Sequence, residues 1–364
     1  MDAWEQFLVD GRCPSKAIRD TVRQSWERCS QLGVAPDRNR APMLYTEDSL
    51  RQLVSNLPEL AEAARAVCVR ARDFLAESGT IMVITDPEGV IIHAEGNPNT
   101  IEAAGDISLI PGGQWQEGVA GTNAIGTALE AQGPVQIHGA EHFCEGIKKW
   151  TCSATVVEDP FDRRILGVVD ISGPQSTYDP HCLALAVSTA AAIQEQILKQ
   201  AMEKRASLLD KVIGRFTSRP SEGLILFDDR GRLVNANADA ATALERQGVL
   251  PRESHAEIAR FSDNRLYDRA GQELSMVSPD WVTPVVEGAC QLGTVLVVPD
   301  GERSSSRQRR AGVGRGRPPY QFEWIRELCP SLGGTLDKAQ RLARHNVSVL
   351  IRGETGVGKE VMAR

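Results

Sequence analysis

The sequence lacks any long apolar run, and its start does not resemble a signal peptide. No stretch of about 18 apolar residues occurs in the 364 residues, so no membrane-spanning helix is predicted. The first five residues, Met1–Glu5, are acidic and are not followed by an apolar core. We therefore predict a cytoplasmic protein that meets its stimulus inside the cell.

Cysteines are also sparse. The eight cysteines, at positions 13, 29, 68, 144, 152, 182, 290 and 329, show no CxxC spacing and are too scattered for a secreted disulfide scaffold. Imidazole and thiolate suit zinc or iron, but the spacing of His138, His142, Cys144 and Cys152 fits no closed metal site, so no metal is predicted. A redox-active Cys144–Cys152 pair is an alternative that needs a lowered thiol pKa, which Lys148 and Lys149 could provide.

Charge of one sign is not in large excess. The formal net charge of -7 argues against nucleic-acid binding over the whole surface. The basic feature is local, since Gly301–Pro319 has six arginines and one glutamate. We interpret this segment as a mobile tether, because no aromatic residue interleaves the arginines; an arm that contacts nucleic acid is the alternative.

Periodicity predicts helices near the start of the chain. A helix over 15–32 is expected, with Ser15 as N-cap and Gly33 as its stop. A second is expected over 47–77, capped by Thr46, and another long one over 180–216. The last segment is either one helix, able to link domains or pair with a copy of itself, or two helices joined near Arg205.

Apolar, β-branched runs predict strands between these helices. They are 80–86, 90–93, 135–138, 151–157 and 165–172, and the first two form a hairpin. Strands, helices and strands in this order indicate an α+β domain with an antiparallel sheet. Residues 222–298 repeat the pattern in a smaller α+β unit, with a hairpin, a helix over 238–246 and closing strands at 281–286 and 294–298.

A phosphate-binding motif stands near the end of the sequence. The predicted strand Asn346–Arg352 leads into GETGVGKE, comprising Gly353, Glu354, Thr355, Gly356, Val357, Gly358, Lys359 and Glu360. The glycines let backbone N–H groups surround phosphates at a helix N-terminus, and Lys359 adds a positive charge. Glu360 replaces the usual magnesium-binding hydroxyl. Only four residues follow it, so we expect this stretch alone not to hydrolyse ATP.

Several stretches resemble one protein family. The run Leu332–Arg364, which contains GETGVGKE, is similar to the start of the AAA+ domain of bacterial sigma-54-dependent transcriptional activators, where GKE is the usual ending. SWERC at 25–29, EGVAGTNAIG at 117–126 and EHFCEGIKKW with TCSA at 141–154 resemble the activators of acetoin and dihydroxyacetone (glycerol) catabolism.

This resemblance implies an α+β multidomain protein. Its parts would be N-terminal helices (1–75), a GAF-type sensor with an antiparallel sheet (76–200), a PAS-like α+β domain (205–300), a linker (301–319) and the start of an α/β AAA+ P-loop domain (320–364). It also implies ATP and Mg²⁺ as cofactors of a longer parent. The partners that it implies are sigma-54 RNA polymerase and promoter DNA, contacted by the longer parent. A homodimer is expected for this chain, and a hexameric ring for the parent.

The GAF-type segment holds the candidate sensing residues. A small ketone or polyol needs a few polar groups within an apolar cup, and the residues of suitable type are Trp115, Glu117, Thr122, Asn123, His142, Phe143, Trp150 and Cys152. In the alternative interpretation the tryptophans belong to the core and Thr122–Asn123 cap a helix over 122–130. A regulatory protein as the input, or a dimerisation scaffold without ligand, are further alternatives.

Overall fold

The structure is a computed structural model that describes residues 2–11, 18–218, 222–249, 258–288, 290–299 and 333–342. The chain divides into two compact units, Met1–Glu203 and Lys204–Arg364. Both contain helices and antiparallel sheets, which confirms the predicted α+β class. Ser15, the linker 301–319, the predicted strand 346–352 and the motif 353–360 lie outside the described residues.

The first unit is built on one five-stranded sheet. In chain order its elements are α1 (Asp2–Asp10), α2 (Asp20–Gln31), α3 (Glu47–Ser55), α4 (Pro58–Glu77), β1 (Ile81–Thr85), β2 (Ile91–Gly96), α5 (Pro98–Asp106), α6 (Glu117–Ala120), α7 (Ala124–Ala131), β3 (Val135–His138), β4 (Trp150–Glu158), β5 (Ile165–Pro174) and the long α8 (His181–Ser218). The strand order is β2-β1-β5-β4-β3, and every neighbouring pair is antiparallel. All five strands were predicted.

The sheet separates two hydrophobic cores. Its inner face, here the side of Ile81, Val83, Ile137, Cys152, Ala154 and Val168, packs against α5, α7 and the helices α1 and α2. Its outer face, the side of Met82, Ile84, Val157, Val169 and Ile171, packs against α4 and α8. Side chains alternate between the faces because a strand has a two-residue period. Residues 1–75 thus contribute to the same cores as the sheet.

Local sequence sets the ends of the first helices. Helix α2 begins at Asp20, five residues later than predicted, with Arg19 at its N-cap. It ends as predicted at Gly33, whose φ of +70° a residue with a side chain rarely adopts. The N–H of Gly33 donates to Ser30 O and that of Val34 to Cys29 O, which satisfies two carbonyls at the helix end.

The single helix predicted over 47–77 is two helices. Thr46 caps α3 as expected, and its side chain exchanges hydrogen bonds with Ser49. The helix stops at Ser55, and Pro58 starts α4 because proline has no N–H to donate and fits only the first turn. The apolar period continues across this break, so periodicity alone predicts one continuous helix.

The second unit is a smaller α+β structure. Its elements are the C-terminal part of α8, β6 (Gly223–Asp228), β7 (Leu233–Ala236), α9 (Ala240–Arg246), β8 (Arg260–Ser262), β9 (Arg265–Tyr267), β10 (Glu273–Met276), β11 (Val282–Glu287), β12 (Cys290–Val298) and α10 (Gly333–Leu342). One sheet has the order β11-β12-β6-β7 and the other β10-β9-β8. The hairpin, the helix and the closing strands were predicted; β8, β9 and β10 were not.

The segment 180–216 is one helix. Helix α8 runs from His181 to Ser218 without a joint at Arg205, so the two-helix alternative is wrong. Within the second unit, Arg205 donates to Asp228 through Nη2 at 2.8 Å, and Leu208 packs with Leu224 and Leu226. None of the helices in the described part of the chain is long and apolar enough to cross a bilayer.

Candidate functional site

The predicted sensing residues are all buried in the first unit. Their hydrogen bonds and strand positions divide them into four pairs, two of which meet where Phe143 N donates to Thr122 O at 3.4 Å. They are Glu117 with Thr122, Trp115 with Asn123, His142 with Phe143, and Trp150 with Cys152.

Glu117 is the centre of a polar network with α2. Its carboxylate accepts two hydrogen bonds from Arg28, Nε to Oε2 at 2.7 Å and Nη2 to Oε1 at 2.9 Å. Ser25 Oγ donates to Oε1 at 2.5 Å and lies 2.7 Å from Thr122 Oγ1. The Cys29 thiol is 3.5 Å from the same threonine oxygen. Both predicted residues therefore fasten α2 to α6 and to the turn before α7.

Two tryptophans extend this attachment to the segment after β3. Trp26 Nε1 donates to Glu141 O at 2.7 Å, and Trp4 Nε1 donates to Phe143 O at 2.9 Å. The Phe7 ring packs edge-on against Phe143, with 6.5 Å between the ring centroids. The stretches 25–29, 117–126 and 141–150 thus contact one another, and we call this assembly the N-terminal joint.

Trp115 and Asn123 have structural positions. Asn123 is the N-cap of α7, where its Oδ1 accepts from Gly126 N at 2.9 Å. Its Nδ2 donates to Trp115 O and Gly121 O. The indole of Trp115 donates to Ser108 O at 3.1 Å within the core. These contacts support the capping and core interpretation for both residues.

His142 is completely buried in a neutral form. Its Nδ1 lies 3.0 Å from Gly139 O, so Nδ1 carries the proton that this carbonyl accepts. Its Nε2 has no hydrogen-bond partner among the described residues. Burial lowers the pKa of the imidazole to about 4. His142 is therefore uncharged at neutral pH.

Cys152 faces a polar patch that the sequence did not reveal. It lies opposite Ser172 on the inner face, and Asp170 stands two residues before Ser172 on β5. Ser172 Oγ donates to Asp170 Oδ2 at 2.5 Å, and both residues are fully buried. The signal in the sequence is an acidic residue within the apolar run ILGVVDIS, a run that by itself predicts only a strand. Trp150, also on β4, belongs to the inner core.

The thiols do not meet the requirement for a redox pair. Burial raises the pKa of Cys144 to about 12, although Arg38 and Lys148 oppose the shift. Burial also raises the pKa of Cys152 well above its usual range, and Asp170 adds to it. Both thiols are free. The lowered pKa expected of a reactive pair is therefore wrong for these cysteines.

The four residues weighed as metal ligands, His138, His142, Cys144 and Cys152, belong to no metal-binding group among the described residues. Within the described ranges, no group of three or more His, Cys, Asp or Glu side chains is placed to hold a metal ion. The His138 ring instead packs against the Tyr178 ring in a tilted arrangement, with 4.5 Å between the ring centroids. The arrangement gives no support to a zinc or iron site at His138, His142, Cys144 and Cys152.

An apolar groove runs along the outer side of the first unit. It has a volume of about 670 Å³ and lies between α4 and α8. Phe74 and Leu185 line it and are 79% and 43% exposed, and Arg70, Glu195 and Lys199 also contribute to its lining. This groove is on the opposite side of the sheet from the predicted sensing residues.

Comparison with known families identifies both ends of the chain. Residues 1–195, more than half of the chain, match the family described as MimR, N-terminal domain. The chain belongs to this family. Residues 327–364 match the Sigma-54 interaction domain. The MimR N-terminal family assignment covers the whole N-terminal joint. Together with relatives named as acetoin and dihydroxyacetone operon regulators, the two matches confirm the resemblance to sigma-54-dependent activators of this type.

Individual relatives agree with this assignment. The chain is 24% identical over 372 residues to the acetoin dehydrogenase operon transcriptional activator AcoR of Bacillus subtilis, covering 100% of this chain and 54% of AcoR. It is 30% identical over 243 residues to the propane 2-monooxygenase operon transcriptional activator MimR of Mycolicibacterium smegmatis, covering 66% of this chain and 40% of MimR. The chain thus spans about half the length of these relatives or less.

A solved structure shares the fold. The crystal structure of the E. coli DhaR(N)–DhaL complex contains a chain that aligns with 77% of this chain and is itself covered over its whole length. The TM-score is 0.52 and the sequence identity is 18%. At this identity the likeness concerns the fold alone.

Proposed function

We propose that this chain is the sensory and regulatory half of a bacterial sigma-54-dependent transcriptional activator. One observation carries the proposal: a MimR-type N-terminal domain over 1–195 precedes a Sigma-54 interaction domain at 327–364 in the same chain. An input at the front of the protein would control ATP-driven remodelling of sigma-54 RNA polymerase by the parts that follow, with promoter DNA bound by the longer protein.

The domain assignment extends this proposal. Residues 1–75 and 76–200 would form a GAF-type sensor with its N-terminal helices, and 205–300 a PAS-like domain. After the linker 301–319, the segment 320–364 would begin the AAA+ domain. Its loop from Gly353 to Glu360 would hold the phosphates of ATP with Mg²⁺ in the complete ATPase, with Lys359 as the charged contact.

A chimera tests the activator function. Residues 1–364 are joined to the part of B. subtilis AcoR that follows the matched region, in a strain without its own AcoR. A reporter is placed behind the acetoin dehydrogenase operon promoter. We expect expression that depends on sigma-54 and is abolished by Lys359→Ala, because phosphate binding loses its point charge. Lys338→Ala, on the exposed side of α10, is the matched control and should retain expression.

The outcome separates the candidate functions. Expression that persists after loss of sigma-54, or that is unchanged by Lys359→Ala, contradicts the proposal. Induction by a small alcohol or ketone supports metabolite sensing by the first unit. A second candidate input is a regulatory protein, which the shared fold with the chain crystallised as the DhaR(N)–DhaL complex favours. Regulated expression without any response to small molecules would support that candidate.

A further inference from the structure

One edge of the five-stranded sheet is covered by side chains instead of by a further strand. Strand β3 ends the sheet beside β4, so its other side faces away from the sheet. Backbone N–H and C=O groups along such an edge can pair with a strand of another chain, and native proteins often block edges for this reason. What covers β3 therefore decides whether this edge can bind a partner.

An ion pair covers the edge at two neighbouring positions. Arg19 Nη2 donates to Gln136 O at 2.5 Å, and Glu141 Oε2 accepts from His138 N at 2.8 Å. The two charged side chains also bind each other. Arg19 donates through Nε to Glu141 Oε1 at 3.0 Å and through Nη2 to Glu141 Oε2 at 2.6 Å. The pair thus takes one carbonyl and one amide that a neighbouring strand would otherwise bind.

These two backbone groups lie on the open side of β3. In an antiparallel sheet the N–H and C=O of one residue point to the same side of the strand, and successive residues alternate between the sides. Gln136 O and His138 N bind side chains at the edge, so the backbone groups of residues 135 and 137 are the ones that face β4. Gln136 and His138 therefore carry the hydrogen-bonding groups of the edge.

The partner that fits this edge is a second copy of the same strand. An antiparallel copy runs in the reverse direction, so residue 136 of one chain lies opposite residue 138 of the other. The His138 amide of each chain then faces the Gln136 carbonyl of the other chain. The carbonyl and the amide that the ion pair now holds would bind each other reciprocally, which makes the edge complementary to itself.

We propose that the Arg19–Glu141 pair is a removable cover of the β3 edge, and that without it two copies of the chain join through antiparallel β3 strands. The Arg19 and Glu141 side chains are 52% and 24% exposed, and an ion pair so open to solvent contributes little to stability. Arg19 also stands at the N-cap of α2, so a small shift of the start of this helix withdraws it from the edge. This contact is separate from the groove between α4 and α8 and requires no activator function.

The test compares the wild-type 364-residue chain with Arg19→Met and with the double variant Arg19→Met/Glu141→Ala. Sedimentation velocity over a concentration series measures association. We expect the double variant to self-associate about tenfold or more tightly than the wild-type chain, because two reciprocal backbone hydrogen bonds become available. Arg19→Met, the milder change, leaves Glu141 on the His138 amide and should associate less than the double variant.

Arg51→Met is the matched control, because Arg51 also pairs with two acids but does so within α3. Its sedimentation should equal that of the wild-type chain. Adding Phe74→Glu to the double variant should leave the gain in association in place, since Phe74 lines the groove between α4 and α8.

Amide hydrogen exchange locates the contact. In a dilute solution of the double variant the His138 amide should exchange faster than in the wild-type chain, because it has lost its acceptor. At high concentration the amides of Gln136 and His138 should both be protected. A variant that only loosens the fold would instead exchange faster at every concentration.

Every outcome bears on the covered edge. A folded double variant with the wild-type sedimentation at all concentrations would overturn the proposal, as would equal association of Arg51→Met. Association without protection of the Gln136 and His138 amides would overturn the β3 contact. A gain that disappears on adding Phe74→Glu would assign the association to the groove and also overturn it.

Discussion

The ion pair between Arg28 and Glu117 combines a buried acid with a partly exposed base. The Glu117 side chain is 2% exposed and that of Arg28 is 34% exposed. Removing the arginine leaves a buried carboxylate with Ser25 as its remaining side-chain donor among the described residues. Losing one partner of a buried pair is far more costly than losing an exposed one, because the remaining charge stays desolvated.

We therefore expect Arg28→Met to lower the free energy of unfolding of the first unit by about 2–3 kcal/mol, at the low end for buried pairs because Arg28 reaches solvent. Arg51→Met is the matched control. Arg51 pairs with Glu47 and Asp48 on the surface of α3, and its loss should cost about 0–1 kcal/mol. Urea denaturation followed by tryptophan fluorescence measures both; equal losses would contradict the proposed importance of the joint.

The carboxyl group of Asp170 makes stability depend on pH. Its pKa is raised from 3.8 to about 7 in the folded chain, so the unfolded chain ionises first as pH rises. Its contribution is complete below about pH 4 and is lost as pH increases through 7. Relative to Asp170→Asn, the wild-type chain should lose up to about 4 kcal/mol of unfolding free energy over this range.

The measurement is urea denaturation of both proteins at several pH values between about 5 and 8. His142, whose pKa burial lowers to about 4, acts in the opposite direction below its ordinary pKa of 6.5. That effect is common to the two proteins and cancels in their difference. Parallel stability profiles would show that Asp170 does not titrate in this range.

For single residues, the sequence predicted whether a side chain is buried better than it predicted which residues that side chain contacts. The residue types of Trp115, Glu117 and Thr122 indicated a dense polar and aromatic region, and all three are buried. The partners of Glu117 and Thr122 come from α2, some 90 residues earlier in the chain, and no local pattern links such distant segments. Asp170 was missed because an alternating strand pattern does not specify what covers each face.

The connection between α2 and α3 packs tightly against the turn after Phe143. A Cβ atom on Gly146 would lie 2.2 Å from Asn39 O and 2.4 Å from Asn39 Cα. Glu145 N donates to Pro36 O at 2.8 Å in the same contact. Backbone atoms cannot rotate away as a flexible side chain can, so an added methyl group must displace one of the two segments.

We expect Gly146→Ala to lower the free energy of unfolding by about 1–3 kcal/mol, as overpacking does. Gly105→Ala is the matched control, because nothing lies within 4 Å of its Cβ position in α5. Alanine there should raise stability by about 0.5–1 kcal/mol through its better helix propensity. Thermal denaturation distinguishes them, and a neutral Gly146→Ala would contradict the tight contact.

Element prediction succeeded where a pattern was long and regular. The strands β1 to β5 were predicted because β-branched runs ended at clear turns, and Thr46 and Gly33 marked helix ends. Element prediction failed where an apolar period crossed a helix break and where a strand was too short to show a pattern. The apolar period crossed Pro58, and β8, β9 and β10 have only three or four residues each, too few to establish alternation.

On the scale of the molecule, the first unit exposes apolar side chains on two helices. Phe74 on α4 and Leu185, Val187 and Leu198 on α8 are each more than a third exposed. Phe74 and Leu185 line the apolar groove between α4 and α8, and exposed apolar side chains along a groove are typical of an interaction surface. They agree with the prediction of a homodimer through the long helix, which stays a proposal.

We expect the chain to have the mass of a dimer in light scattering and Phe74→Glu to shift it to a monomer, because burying an unpaired carboxylate opposes association. Val9→Glu on α1 is the matched control; Val9 is 84% exposed, outside this groove, and its replacement should leave the mass unchanged. A monomeric wild-type chain, or a dimer unaffected by Phe74→Glu, would contradict this assembly.

The N-terminal joint has a consequence for the design of biosensors. The residues that carry the family resemblance lie at 25–29, 117–126 and 141–150. Side chains in these same stretches form the hydrogen bonds that attach α2 to the rest of the first unit. An engineer who randomised them in search of a new specificity would mostly recover proteins that no longer fold. Libraries that keep Ser25, Arg28 and Glu117 unchanged would leave the attachment of α2 to α6 intact.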